Sequence, residues 1–179
     1  MTEPRAIAAP GRVMERGRSK AHRPLPSEVR RAAVARGLAA YDRGAWYLAH
    51  EELEPAWMGS DDPAERALLS GVIKVAAAYV HAARGNPLGV RTNLRGARER
   101  LATAAAARPA GWIDAAALLA GVDDRLARIE ALCDAPREAT VGEGDTARAV
   151  PSHDVAGPAG RVRGAPVAIA PIPLPRWPA

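Results

Sequence analysis

An all-α fold is predicted for this chain of 179 residues, and three observations predict it. Ala and Leu carry much of the apolar content and Phe is absent, which suits helices joined along thin Ala/Leu seams and not a β-sandwich rich in β-branched and aromatic residues. From residue 29 onward apolar side chains recur every three to five positions, the period of a helix with one buried face. The stretches "DRG", "GSDDPAE" and "RGNP" then punctuate these runs with residues that end and start helices. The length leaves room for one domain with a proper core, so the expected architecture is a compact bundle of about five helices in residues 27–133.

Residues 1–26 lack helical periodicity and close on "HRPLP", so they read as a disordered arm. Ser27 stands where an N-cap belongs, with Glu28 favourable in the first turn. The first helix carries Val29, Ala33, Val34, Leu38 and Tyr41 as its apolar stripe and stops near Gly44, which can adopt the left-handed conformation. The second holds "AWYLAHEELEPAW", residues 45–57. Pro55 has no N–H for the carbonyl of Glu51 and restricts Glu54, which predicts an end or kink there.

Asp62 as N-cap, Pro63 at the first helical position and Glu65 three residues after the cap start a third helix, running to about Arg84. Between Gly71 and Ala83 its only strongly polar residues are Lys74 and His81, so neighbours must cover most of its circumference. Gly85 terminates it, and Asn86 caps and Pro87 starts a fourth helix that reaches about Ala107. After "RPAGW" a further apolar stretch ends near Cys133, with Gly121 expected to divide a short helix from a final one. From Asp134 onward Pro and Gly are frequent and hydrophobic patterning fades, and residues 134–179 read as a disordered tail. Its end, "APIPLPRWPA", favours a polyproline conformation with Trp177 as an anchor, suited to an aromatic groove or to folding back on the domain; an unstructured end is the expectation.

Charge and cysteine content narrow the functional classes. The net charge is +5, but residues 1–26 hold six basic and two acidic residues while 27–133 hold fourteen and thirteen. The basicity lies in the arm, which can add nonspecific phosphate affinity but reads no sequence, so nucleic acid is disfavoured as the main partner. Cys133 is alone, so no internal disulfide forms. No stretch reads as a signal sequence, and "GVIKVAAAYVHAA" is too short and too interrupted to span a membrane, so a cytoplasmic protein is expected.

One constellation carries chemistry. On the second helix Trp46, Ala49, Leu53 and Trp57 fall on one side, which must face the core. His50 lies at the rim of that side, Glu54 roughly 40 degrees further round and Glu51 beyond, while Glu52 points away and reads as solvated. Lys74 and His81 share a line on the third helix, and the short connection favours antiparallel packing. His50, Glu51, Glu54, Lys74 and His81 are therefore the expected polar cluster across the seam. One reading is a satisfied buried network that fixes helix register. The sharper reading is a metal or acid/base site, with His50, Glu54 and His81 as ligands for a divalent cation such as zinc, manganese or iron. "HEELE" is not the zincin pattern HExxH, since Glu54 occupies the place of the second histidine. Arg91, Arg95 and Arg98 lie within about 60 degrees of one another on the fourth helix. They suit an anion site, or equally a solvated face or pairing with acids of adjacent helices.

The segments "YDRGAWYLAHEELEPAW" and "LLSGVIKVAAAYVHAARGNPLGVRTNLRGA" resemble the bacterial and archaeal family called domain of unknown function 309. Its members show an "HExLExxW" segment, a "GxIxxAxAxxH" helix and then "RGN". The match covers about residues 38–105, with His50, Glu51, Leu53, Glu54, Trp57, Gly71, Ile73, Ala76, His81, Gly85 and Asn86 on pattern positions. Trp46 and Tyr47 stand where the family has phenylalanines, and Pro55 interrupts the motif. The resemblance implies a compact all-α domain and supplies no activity.

The functional expectation is an interaction or small-ligand-binding module built around the seam between the second and third helices. The alternative is a metal-dependent, hydrolase-like enzyme in which Glu51 serves as base, and a third is weak nucleic-acid binding through the arm. The partner is an unidentified protein or small molecule, and homo-oligomers are left open. No glycine-rich phosphate loop or nucleophile elbow is present.

Overall fold

The computed structural model describes residues 11–15, 18–107, 113–134 and 167–175. Five helices account for most of them: α1 (Ser27–Asp42), α2 (Trp46–Gly59), α3 (Pro63–Ala83), α4 (Pro87–Ala107) and α5 (Ala115–Asp134). Ahead of them β1 (Gly11–Glu15) and β2 (Arg18–His22) pair as an antiparallel hairpin, Gly11 opposite His22. The arm expected to be disordered therefore contains a hairpin at these residues. Arg23 N–H extends its attachment by donating to the carbonyl of Met58 at 2.9 Å.

Local chemistry places the helix ends. Gly44 and Gly85 take φ values of 74° and 64°, which a side chain resists and glycine does not. Asp62 caps α3 by accepting from Ala64 N–H at 2.9 Å, and Asn86 caps α4 by accepting from Gly89 N–H at 2.9 Å. Three expectations are corrected. Pro26, not Ser27, precedes the first helical turn of α1. Of the end or kink expected at Pro55, the end is not found: α2 continues to Gly59, with Pro55 on its exposed face. Gly121 does not divide α5, which runs unbroken from Ala115.

Neighbours in sequence are neighbours in space, and each pair is antiparallel. Gly37 of α1 meets Leu53 of α2, while Tyr41 near the end of α1 meets Trp46 at the start of α2. Trp46 also lies against Tyr79 late in α3, and Trp57 against Arg66 early in it. Leu101 of α4 packs on Gly71 and Gly89 on His81, and Arg91 and Arg98 reach Asp134 and Asp123 of α5. The core runs along these seams through fully buried Leu53, Leu69, Val72, Leu94, Leu101 and Leu118. Of the predicted α1 stripe, Ala33, Val34, Leu38 and Tyr41 are buried, but Val29 is 48% exposed because it precedes the stretch that α2 covers.

The tail supplies the largest departure. Residues 167–175 form an extended strap against the bundle, with Ile172 and Leu174 in the core. Ile172 occupies the space that a side chain at Gly121 would need: a Cβ there would lie 2.6 Å from Ile172 Cγ2. The helix-breaking reputation of glycine suggested a boundary at Gly121, whereas its role is close approach. Trp112 and Trp177 lie outside the described residues.

Candidate functional site

Helix α2 orients the polar cluster by burying its opposite side. Ala49 and Leu53 are 0% exposed, and Trp46 and Trp57 are partly buried against the core. That facing leaves His50, Glu51 and Glu54 at the solvent edge, the His50 side chain 33% exposed and that of Glu51 46%. His50 Nδ1 and Glu51 Oε1 lie 3.1 Å apart. His50, Glu51 and Glu54 each offer a ligating atom, and these atoms lie within 4.8 Å of one another. One imidazole and two carboxylates at a half-open edge can converge on one cation and leave coordination positions to water or a ligand.

The remaining predicted residues fall elsewhere. Lys74 runs along α4, where a Cβ at Gly96 would lie 2.9 Å from its Cδ. The His81 ring covers Gly89, and its Nδ1 sits 3.2 Å from Asn86 Nδ2. Both residues thus line the seam between α3 and α4. The convergent group therefore has Glu51 where the sequence-based ligand set of His50, Glu54 and His81 had the second histidine. Glu52, read as solvated, accepts from Arg36 Nε of α1 at 2.7 Å.

The arginine stripe of α4 is matched by acids of α5. Arg95 pairs with Glu130 at 2.5 Å, Arg98 with Asp123 at 2.7 Å and Arg91 with Asp134 at 3.4 Å. Of the alternatives weighed for this stripe, pairing with a neighbouring helix is the one found. An external anion would have to displace three carboxylates.

Two polar groupings escaped the sequence reading. At the α2–α3 turn, buried Arg66 donates to the carbonyls of Trp57 (2.8 Å) and Ser60 (3.3 Å) and lies over the Trp57 ring. Glu65 accepts from Ser60 and faces Arg30 at 3.5 Å. The second grouping holds the strap. Tyr41 Oη donates to the Ile172 carbonyl at 2.9 Å, Ile172 N–H donates to Tyr79 Oη at 2.7 Å, and Tyr79 Oη donates to the Ala170 carbonyl at 3.2 Å. Arg125 Nε adds a bond to the Ala170 carbonyl at 2.9 Å.

Burial pushes the Tyr79 hydroxyl up to about 12, against the pull of the Ile172 N–H and of Arg125. Tyr41 shifts up as well, through burial first and then the adjacent Tyr79. A raised folded-state value favours the neutral phenol, so this stabilisation is whole below about pH 10 and is lost as pH climbs toward 12. Denaturant melts of wild-type and Tyr79→Phe chains should therefore diverge in slope over that window. The wild type is expected to lose about 2 kcal/mol more than the variant. Parallel pH profiles would contradict the buried, bonded hydroxyl.

The fold and this edge define a class: a small antiparallel helical bundle carrying a His/Glu/Glu edge on its second helix. Residues 34–93 match the family model described as "Domain of unknown function (DUF309)". The matched stretch includes all of α2 and α3 and leaves α5 and the strap outside it. No curated protein and no solved structure matches the chain. Among the described residues, no helix is long and apolar enough to cross a membrane.

Proposed function

We propose that this protein is a small-ligand-binding module whose α2 edge takes a divalent cation through His50, Glu51 and Glu54. One observation carries the reading: three groups of the right chemistry offer ligating atoms within 4.8 Å of one another at a partly exposed edge. A nitrogen and two carboxylate oxygens suit zinc, manganese or iron, and a set of three protein ligands leaves room for an exchangeable ligand. The same open positions favour the second reading, a metal-dependent hydrolase-like enzyme in which the cation activates a bound water. In that reading Glu51 has a ligand's place and not that of the base. Nucleic-acid binding draws no support from Arg91, Arg95 and Arg98, whose charges are matched by α5. The lone Cys133 fits a reducing compartment, and the reading places the protein in the cytoplasm.

Thermal melts of untagged, chelator-treated full-length protein test the proposal. A cation bound to the folded state at a hundredfold excess over its Kd contributes about 2.7 kcal/mol, so zinc or manganese should raise Tm by several degrees. Glu54→Gln, which keeps shape and removes the charge, should abolish most of that rise with the metal-free Tm little changed. Equal rises in the two proteins would refute the site.

A further inference from the structure

We propose that the groove between α5 and the α1–α3 side is a recognition site for an extended, proline-spaced apolar segment of a partner chain, with residues 167–175 as its tethered occupant. This inference does not depend on the cluster of α2. The groove reads a segment in two ways. It reads main chain: Tyr41, Tyr79 and Arg125 contact the carbonyls of Ala170 and Ile172 and the N–H of Ile172, and Asp114 N–H donates to the carbonyl of Pro175 at 2.8 Å. It also reads side chains at every second position, since Ile172 and Leu174 are buried while Pro171 and Pro173 point outward.

The prolines complete the match. They carry no N–H, so the outward positions present no donor that the groove would have to satisfy, and they hold the segment extended before it docks. Ile172 fits because α5 has Gly121 beneath it, a notch that any larger residue closes. None of these contacts requires the segment to belong to the same chain.

The tether makes exchange feasible. Thirty-two positions, residues 135–166, separate the end of α5 from the strap. Leu132 lines one cleft together with Val167, and Val167 N–H donates to the carbonyl of Ala82, so both ends of the tether lie at the same end of the bundle. A segment carried on the same chain competes as an intramolecular ligand, which a partner of higher affinity or local concentration overcomes.

The test uses the full chain carrying Ile172→Ser and Leu174→Ser, titrated with a fluorescent peptide of sequence VAIAPIPLP. The expected result is saturable binding to this variant and binding at least about tenfold weaker to the wild-type chain, where the tether competes. A peptide carrying the same two serines should not bind. Capture of no peptide by a variant that retains its helical spectrum would overturn the proposal. Should the variant lose its fold, a wild-type chain cut at a protease site placed within residues 135–166 decides the matter. Exchange of its cut tail for labelled peptide with the helices intact supports recognition in trans. A tail that never exchanges, or helices lost on cutting, marks the strap as part of the core and overturns it.

Discussion

Replacing Trp46 by alanine is expected to cost about 3 kcal/mol, near the lower bound for a large aromatic removed from a core because the ring is only partly buried. Its effect comes from position as much as from area. Trp46 meets Tyr41 edge-on at 4.9 Å between ring centres and lies 4.6 Å from Tyr79, so it joins α1, α2 and α3 at one point. Those two tyrosines also hold Ile172, so the strap should loosen together with the helices. Glu52→Ala serves as the control, since its exposed pair with Arg36 contributes at most about 1 kcal/mol. Urea melts giving equal losses for the two variants would show that α2 faces the other way.

Leu53→Ala is expected to cost about 3 to 4 kcal/mol, because the side chain is fully buried and fills a notch that cannot collapse. The notch is Gly37: a Cβ there would lie 2.5 Å from Leu53 Cγ. Gly37→Ala alone should therefore cost about 1 to 3 kcal/mol by overpacking. With Leu53 already shortened, the added methyl enters vacated space, so the double variant should be more stable than the sum of single losses by about 1 kcal/mol or more. Strict additivity in the same melts would mean that α1 and α2 do not meet at this point.

The legible part of this protein was local. Gly44, Asp62, Pro63, Gly85, Asn86 and Pro87 act within one turn of themselves, so helix ends could be read from them directly. The inward side of α2 was legible because Trp46, Ala49, Leu53 and Trp57 share a period that only one facing satisfies. The site was legible to the extent that it lies on one helix: His50, Glu51 and Glu54 are held together by the α2 backbone alone. Lys74 and His81 were harder, because one apolar circumference on α3 is compatible with several rotations, and it is the small residues Gly89 and Gly96 of α4 that admit them.

The strap was illegible for a different reason. Its pattern of alternating prolines resembles an unstructured tail, and the hydroxyl of Tyr41 that fixes it lies 131 positions away in sequence. No local rule signals such a partner. Pro55 misled in the opposite sense, since a missing donor on an exposed helix face costs stability without ending a helix that its other face holds in the core.

Cation binding by His50, Glu51 and Glu54 can be read from a proton–nitrogen spectrum of the histidine rings in full-length protein, recorded during a zinc titration and assigned with His50→Gln and His81→Gln. With a cation at the α2 edge, the His50 ring signals are expected to move and saturate at one equivalent while those of His81 stay in place. Movement of the His81 ring in step with added zinc, or no saturable change at His50, would contradict it.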